Sequence, residues 1–196
     1  MDKYKNRFPI IAGAIFLVTA VAAVAYSWAK GICRYDLRLS FSEYVGLHYS
    51  TSVLYFISAV MMLTLLIIYV IKLKLPIVKK IVYAVVFLCI FGTAFFPCNG
   101  RHSVTATILH NYFAIGLMLA ATASFVLSLI LTKSKAQRII AALSLIYAAV
   151  FVVMFFIGFK PLFQTFFIWE NLFIVLLFLG LHMEQYGEKA QVSHEG

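Results

Sequence analysis

Two ionisable residues of this 196-residue chain lie inside long apolar runs. Glu170 lies within the mainly aromatic and aliphatic run 166–173, and His110 lies within a second apolar run. A carboxyl group in such surroundings must be protonated or paired with a group from another segment, and His110 is the natural candidate. A His–Glu pair can bind a polar head group, or it can act as a general base with its orienting carboxylate.

The elements that position these residues follow from the composition. Hydrophobic residues make up 64% of the chain and charged residues 12%, which is not the composition of a water-soluble domain. The apolar runs are continuous and do not alternate with polar residues, so they predict helices and exclude a β-barrel. The +9 net charge does not indicate nucleic-acid binding, because the basic residues lie between apolar runs and form no polar domain.

Six apolar runs are long enough to cross a bilayer, which requires about 20 residues. They predict an all-α polytopic membrane protein, a single six-helix domain over residues 1–196 with an outer loop at 29–43 and a tail at 184–196. The predicted spans are Phe8–Trp28, Tyr44–Ile71, Pro76–Phe96, Ser103–Thr132, Gln137–Phe159 and Pro161–Met183. The first span resembles a signal peptide but is longer than a signal core, so we interpret it as an uncleaved anchor.

The distribution of Lys and Arg predicts that both termini are cytoplasmic. Eleven basic residues fall in the tails and the even-numbered connections, against five in the others, and cytoplasmic segments retain Lys and Arg. The first group is Lys3, Lys5, Arg7, Lys72, Lys74, Lys79, Lys80, Lys133, Lys135, Arg138 and Lys189; the second is Lys30, Arg34, Arg38, Arg101 and Lys160. The first group forms a basic collar that contacts phospholipid head groups.

This topology brings the two ionisable residues to a similar depth. His110 lies about seven residues into span four, which is roughly 10 Å at 1.5 Å per residue, and Glu170 lies about nine residues in from the same side. The sequence therefore predicts a polar pocket that opens to the outside, with Asp36 and Glu43 folded down from the outer loop. Further ligand contacts are predicted for His48, Arg101, Asn111 and Asn171.

Three cysteines lie at different positions in this topology. Cys33 and Cys98 fall on the same outer side, where an oxidising exterior allows them to form a disulfide that fastens the outer loop as a lid. Unpaired thiols or a metal-binding pair are the alternatives. Cys89 falls inside span three and is interpreted as a core residue.

Two function classes fit these residues, and a third has no specific signal. The first is a protein that binds or presents a lipid or small amphiphile, with membrane lipids as its partners. The second is an intramembrane lipid hydrolase or transferase with His110 as general base and Glu170 as its orienting or metal-sharing partner. The third is a structural subunit of a larger complex.

No cofactor and no metal are expected, although His48, His110 and Glu170 could converge on an ion, and two histidines could ligate a haem.

Three short motifs carry a family resemblance. They are the segment 39–46 (LSFSEYVG), the segment 95–100 (FFPCNG) and His110 within span four. Together with the six spans they resemble the DUF998 family of bacterial membrane proteins, which is distantly similar to the Frag1/DRAM/Sfk1 group. The resemblance implies a site between spans two, three and four at Ser42, Pro97 and His110, a bacterial cytoplasmic membrane location and, by analogy, lipid handling. Family members carry an acidic residue after the Phe-Pro pair, where this chain has Cys98 and Asn99.

Overall fold

Six long helices account for most of the fold, as the apolar runs predict. The computed structural model describes residues 7–31, 38–98 and 103–192. Each of the six is long and apolar enough to cross a membrane. They are α1 (Phe8–Ala29), α3 (Tyr49–Lys72), α4 (Ile77–Phe95), α5 (Val104–Leu131), α6 (Lys135–Phe156) and α8 (Phe166–Val192), with short helices α2 (Phe41–Gly46) and α7 (Lys160–Gln164).

The boundaries of two spans differ from the prediction. Span two does not begin at Tyr44, because that residue belongs to α2, and His48 then takes an extended conformation before α3 begins. The hydroxyl groups of Thr51 and Ser52 both donate to the Val45 carbonyl oxygen, which stabilises the break. The last span likewise begins at Phe166, after α7 has ended. Residues 41–43 of the predicted outer loop thus belong to helix α2, in which Phe41 is buried.

The six spans form a closed ring in chain order. The most extensive contacts join α4 to α5, α1 to α3 and α6 to α8, with further contacts between α3 and α4, α5 and α6, and α1 and α8. Buried apolar residues such as Phe16, Leu66, Phe125 and Leu177 fill the interior. The first and last spans are neighbours, so residues far apart in sequence meet inside the ring.

A close approach between α4 and α5 aligns the elements that carry His110. A side chain at Gly92 would overlap the ring of Phe113, so only glycine allows this separation of the two helices. The Phe113 ring in turn stacks on Phe96, with ring centroids 5.8 Å apart. The Ser103 hydroxyl caps α5 by accepting from the Ala106 N–H. The glycine thus brings the end of α4 to the side of α5.

The end of the molecule that carries most of the lysines is called the lysine-rich end here. It includes the connections between α3 and α4 and between α5 and α6. Helix α8 continues through this end to Val192, so the predicted tail is helical from 184 to 192. Glu184 is 1% exposed and Gln185 is also buried, so the first residues of the predicted tail pack against the helix ring.

Candidate functional site

A cavity of about 460 Å³ lies between α1, α2, α5 and α8 at the end opposite to the lysine-rich end. Its walls are mainly aromatic and aliphatic, and its polar groups come from helices α2, α3, α4, α5 and α8 and from the segment that follows α4. Two of the predicted ligand contacts besides His110 line it, namely Asn111 and Glu170, and so does Glu43, which was predicted to fold down from the outer loop. Its lining also includes Ser40, Ser42, Tyr55, Cys98 and Thr107. This volume is at the lower end of the range for small-molecule sites.

Glu170 is bonded to the beginning of the short helix α2. Its Oε2 accepts the backbone N–H of Phe41 at 2.6 Å, and its Oε1 accepts the Ser42 hydroxyl at 3.4 Å. The first N–H groups of a helix have no partner within the helix, and an anion is favoured beside them. Glu170 is thus paired with a group from another helix, as its surroundings required, but the partner is a backbone amide and not His110.

A second carboxylate lies beside the first. Glu43 and Ser40 form a capping box, in which Glu43 Oε2 accepts the Ser40 N–H at 2.6 Å and the Ser40 hydroxyl accepts the Glu43 N–H at 3.0 Å. Both Glu43 and Glu170 line the cavity, so its polar end contains two carboxyl groups that accept hydrogen bonds. Within the described residues, no salt bridge neutralises either carboxylate.

His110 is bonded to the last turn of α4. Its Nδ1 lies 2.7 Å from the Phe96 carbonyl oxygen and 3.0 Å from that of Thr93. Carbonyl oxygens only accept, so Nδ1 must carry the proton, and in the neutral ring Nε2 is then an acceptor. The ring is 3% exposed and lines the cavity. Nδ1 therefore fixes the ring, while Nε2 has no hydrogen-bond partner among the described residues.

The two predicted catalytic residues share a cavity but do not pair. No hydrogen bond or salt bridge joins His110 to Glu170 in the part of the chain that the structure describes. The carboxylate does not orient the imidazole, because the carbonyls of α4 do so. The interaction expected from their similar depth is thus wrong, and the catalytic role that depended on it has no geometric support.

Two other predicted contacts, His48 and Asn171, do not line the cavity. His48 is the N-cap of α3, where its Nδ1 accepts the Ser50 N–H at 3.1 Å and its ring lies 5.3 Å from that of Tyr26. Asn171 is buried and donates from Nδ2 to the Phe167 carbonyl, while its Oδ1 has no partner among the described residues. Arg101 lies outside the described residues, as does Asp36.

The predicted disulfide is not present. Cys98 is a free cysteine that lines the cavity, and its expected partner Cys33 lies outside the described residues. Burial raises the pKa of the Cys98 thiol, and the nearby carboxylates of Glu43 and Glu170 raise it further. Cys89 is buried in the core, as predicted.

The donor set for a metal ion is not assembled. Among residues 7–31, 38–98 and 103–192, no group of three or more His, Cys, Asp and Glu side chains lies close enough to hold an ion. The alternative in which His48, His110 and Glu170 converge is not observed, because His48 does not line the cavity that contains the other two.

The sequence analysis missed a second polar cluster, which is called the ion-pair network here. Lys79 Nζ lies 2.7 Å and 2.8 Å from the two carboxylate oxygens of Glu184. Tyr83 and Ser128 each donate to Glu184 Oε1 at 2.7 Å. Lys79 is 4% exposed, although it was expected in the head-group collar. The cluster lies at the lysine-rich end and joins α4, α5 and α8.

A sequence signal for this network existed. Lys79 and Tyr83 are four residues apart and share a helix face, and Glu184 follows the apolar part of the last span at a similar distance from the same side. Opposite charges at matching depth in two spans predict an ion pair. The same argument from depth was used for His110 and Glu170.

The fold and this cavity define the class to which the chain belongs, a six-span integral membrane protein with a polar cavity inside its helix ring. No family model, curated protein or solved structure matches the chain. The resemblance to the DUF998 family therefore stays a prediction.

Proposed function

We propose that this membrane protein binds a lipid or small amphiphile in the polar cavity. The observation that carries the proposal is that two ionisable side chains are fixed by backbone groups and still have acceptor atoms available to a ligand. These atoms are His110 Nε2 and Glu170 Oε1. Within the part of the chain that the structure describes, Oε1 accepts one hydrogen bond, from Ser42 at 3.4 Å. Aromatic walls beside them, including Phe151 and Phe173, suit an apolar tail.

The acceptors define the head group. Two carboxylates and an imidazole lone pair require a ligand that donates hydrogen bonds, and a protonated amine supplies three donors and a compensating charge. Phosphatidylethanolamine has such an amine. Phosphatidylcholine has the same charge but no N–H donor, so it is the matched comparison.

The enzyme alternative is less well supported. A hydrolase would require the Glu170 carboxylate to orient His110, and that carboxylate is bonded to Phe41. The ring orientation supplied by Thr93 and Phe96 serves a binding site equally well.

Native mass spectrometry of the detergent-purified protein tests the proposal. Wild type should retain phosphatidylethanolamine in preference to phosphatidylcholine with identical chains. Glu170→Gln should weaken retention at least about tenfold, because a hydrogen bond to a charged group is lost. His110→Asn should also weaken it, since the amide replaces Nδ1–H but not Nε2.

His182→Asn is the matched control, because His182 does not line the cavity. An equal loss in His182→Asn and His110→Asn would show a general effect of the substitution. A wild-type protein that retains neither lipid, or both equally, would overturn the proposed head-group chemistry.

A further inference from the structure

A second recess lies on the outer surface of the helix ring, between α3 and α4. Its volume is about 510 Å³ and its walls are almost wholly apolar, with Leu63 and Ile67 on one helix and Ala84, Leu88 and Phe91 on the other. The one charged residue that lines it is Lys80, near its lysine-rich end. This recess is called the α3–α4 groove.

Lys80 differs from its neighbour Lys79 in how its charge is compensated. Successive residues on a helix point about 100° apart, so Lys79 enters the ring and Lys80 faces the groove. Lys79 has Glu184 as its counter-ion. Lys80 is half-buried and forms no salt bridge with the described residues. A cation at this interfacial position attracts anionic groups from outside the ring.

The length of the groove matches one leaflet of a bilayer. From Lys80 to Phe91 the helix rises roughly 16 Å at 1.5 Å per residue, which is about half of a 30 Å hydrocarbon core. The groove residues Ile67, Leu88 and Phe91 are exposed on the surface of the protein. An acyl chain that enters at the lysine-rich end would run along the groove to the middle of the membrane.

We propose that the α3–α4 groove binds one chain of an anionic phospholipid, whose phosphate group pairs with Lys80. The groove supplies an apolar surface of the right length, and Lys80 supplies the charge at the head-group end. Lys72 and Lys74 lie at the same end and add to the positive potential there. The site is separate from the polar cavity and does not depend on the function proposed for it.

The test is a titration of the detergent-purified protein with dioleoyl phosphatidylglycerol and with dioleoyl phosphatidylcholine, followed by native mass spectrometry. Wild type should prefer phosphatidylglycerol. Lys80→Gln should weaken binding of that lipid about fivefold, the effect of one basic residue near an anionic surface. Lys80→Arg should preserve it.

Two further variants make the test specific. Lys133→Gln removes an exposed charge at the same end outside the groove, and it should change binding by less than about twofold. Ala84→Phe fills the groove and should reduce the retention of both lipids, while the elution profile reports whether it folds. Equal effects of Lys80→Gln and Lys133→Gln would show only a general attraction to the basic end. A folded Ala84→Phe protein with unchanged lipid binding would also overturn the proposal. So would a dimer of this protein whose interface excludes lipid from the groove.

Discussion

The polar cavity and the ion-pair network place charged groups inside the same helix ring under opposite conditions. In the network, the two oxygens of Glu184 meet Lys79, Tyr83 and Ser128 at 2.7–2.8 Å. In the cavity, Glu170 has one short bond, to a backbone amide, and one of 3.4 Å. Both oxygens of Glu184 thus have short bonds to the protein, whereas only one oxygen of Glu170 does.

This difference separates two uses of costly polar groups in a membrane. A charge whose partners are all provided by neighbouring helices holds those helices together. A charge that is fixed in place but incompletely bonded beside a cavity has capacity left for a ligand. The same residue type, glutamate in the last span, serves both, so residue type and depth alone do not distinguish them.

The largest expected effect is that of Glu184→Gln. It should lower the free energy of unfolding by about 3–5 kcal/mol, because it leaves the buried ammonium of Lys79 without a counter-ion. Thermal and denaturant unfolding in detergent measure the loss. The double variant Lys79→Met/Glu184→Met should recover most of the stability, since apolar side chains then replace the pair. A double variant as unstable as the single one would argue against an ion pair as the source.

The same chemical change in the cavity should be much milder. Glu170→Gln keeps an oxygen that accepts the Phe41 N–H, so it should cost less than about 1 kcal/mol. Glu170→Leu removes the acceptor and should cost about 1–3 kcal/mol by leaving that amide unpaired. Unfolding under the conditions used for Glu184→Gln provides the comparison. Similar losses for Glu170→Gln and Glu184→Gln would remove the distinction between the two clusters.

A smaller stability effect is expected at His110. His110→Leu removes the donor to the Thr93 and Phe96 carbonyls and should cost about 1 kcal/mol. His110→Asn retains an N–H donor near Nδ1 and should be closer to wild type. The midpoint of denaturant unfolding for the three proteins measures this. If both variants unfold like wild type, the bond does not fasten α4 to α5.

The smallest effect should appear in the chemistry of Cys98. The negative charges of Glu43 and Glu170 contribute to the raised pKa of this thiol, so Glu170→Gln should lower that pKa and increase the thiolate fraction. Maleimide labelling at pH 8, in a Cys33→Ser/Cys89→Ala background, should accelerate by no more than about tenfold, because burial is the larger cause. A slower reaction would contradict the sign of the electrostatic contribution.

The sequence predicted the membrane-spanning part of the fold because lipid imposes a simple rule on length and polarity. Continuous apolar runs identified all six spans, and Pro76 and Pro161 marked helix beginnings in the structure. The break between α2 and α3 was missed, since Tyr44 and Val45 extend the apolar run of α3. That break depends on side-chain bonds to the Val45 carbonyl, which hydropathy does not encode.

Some members of the cavity were predicted from the sequence, and the bonds that hold them were not. Depth along the spans placed His110 and Glu170 at one level, and the structure gives them one cavity. Depth contains no information on rotation about the helix axis, so it could not show that each side chain meets a backbone group. It also could not show that Lys79 turns inward while Lys80 turns outward.

The bond between Glu170 and Phe41 can form only late, when the last span of the growing chain is inserted into the membrane. The two residues are 129 positions apart, and Lys79 and Glu184 are 105 apart. A growing chain that has inserted only its first five spans has a Phe41 N–H without its acceptor, a buried lysine without its counter-ion and a ring with one side open. Because domains gain such long-range contacts late, both clusters close only when the last helix enters. The final span thus completes the ring. A chain that stops before it would expose the charge of Lys79 to lipid.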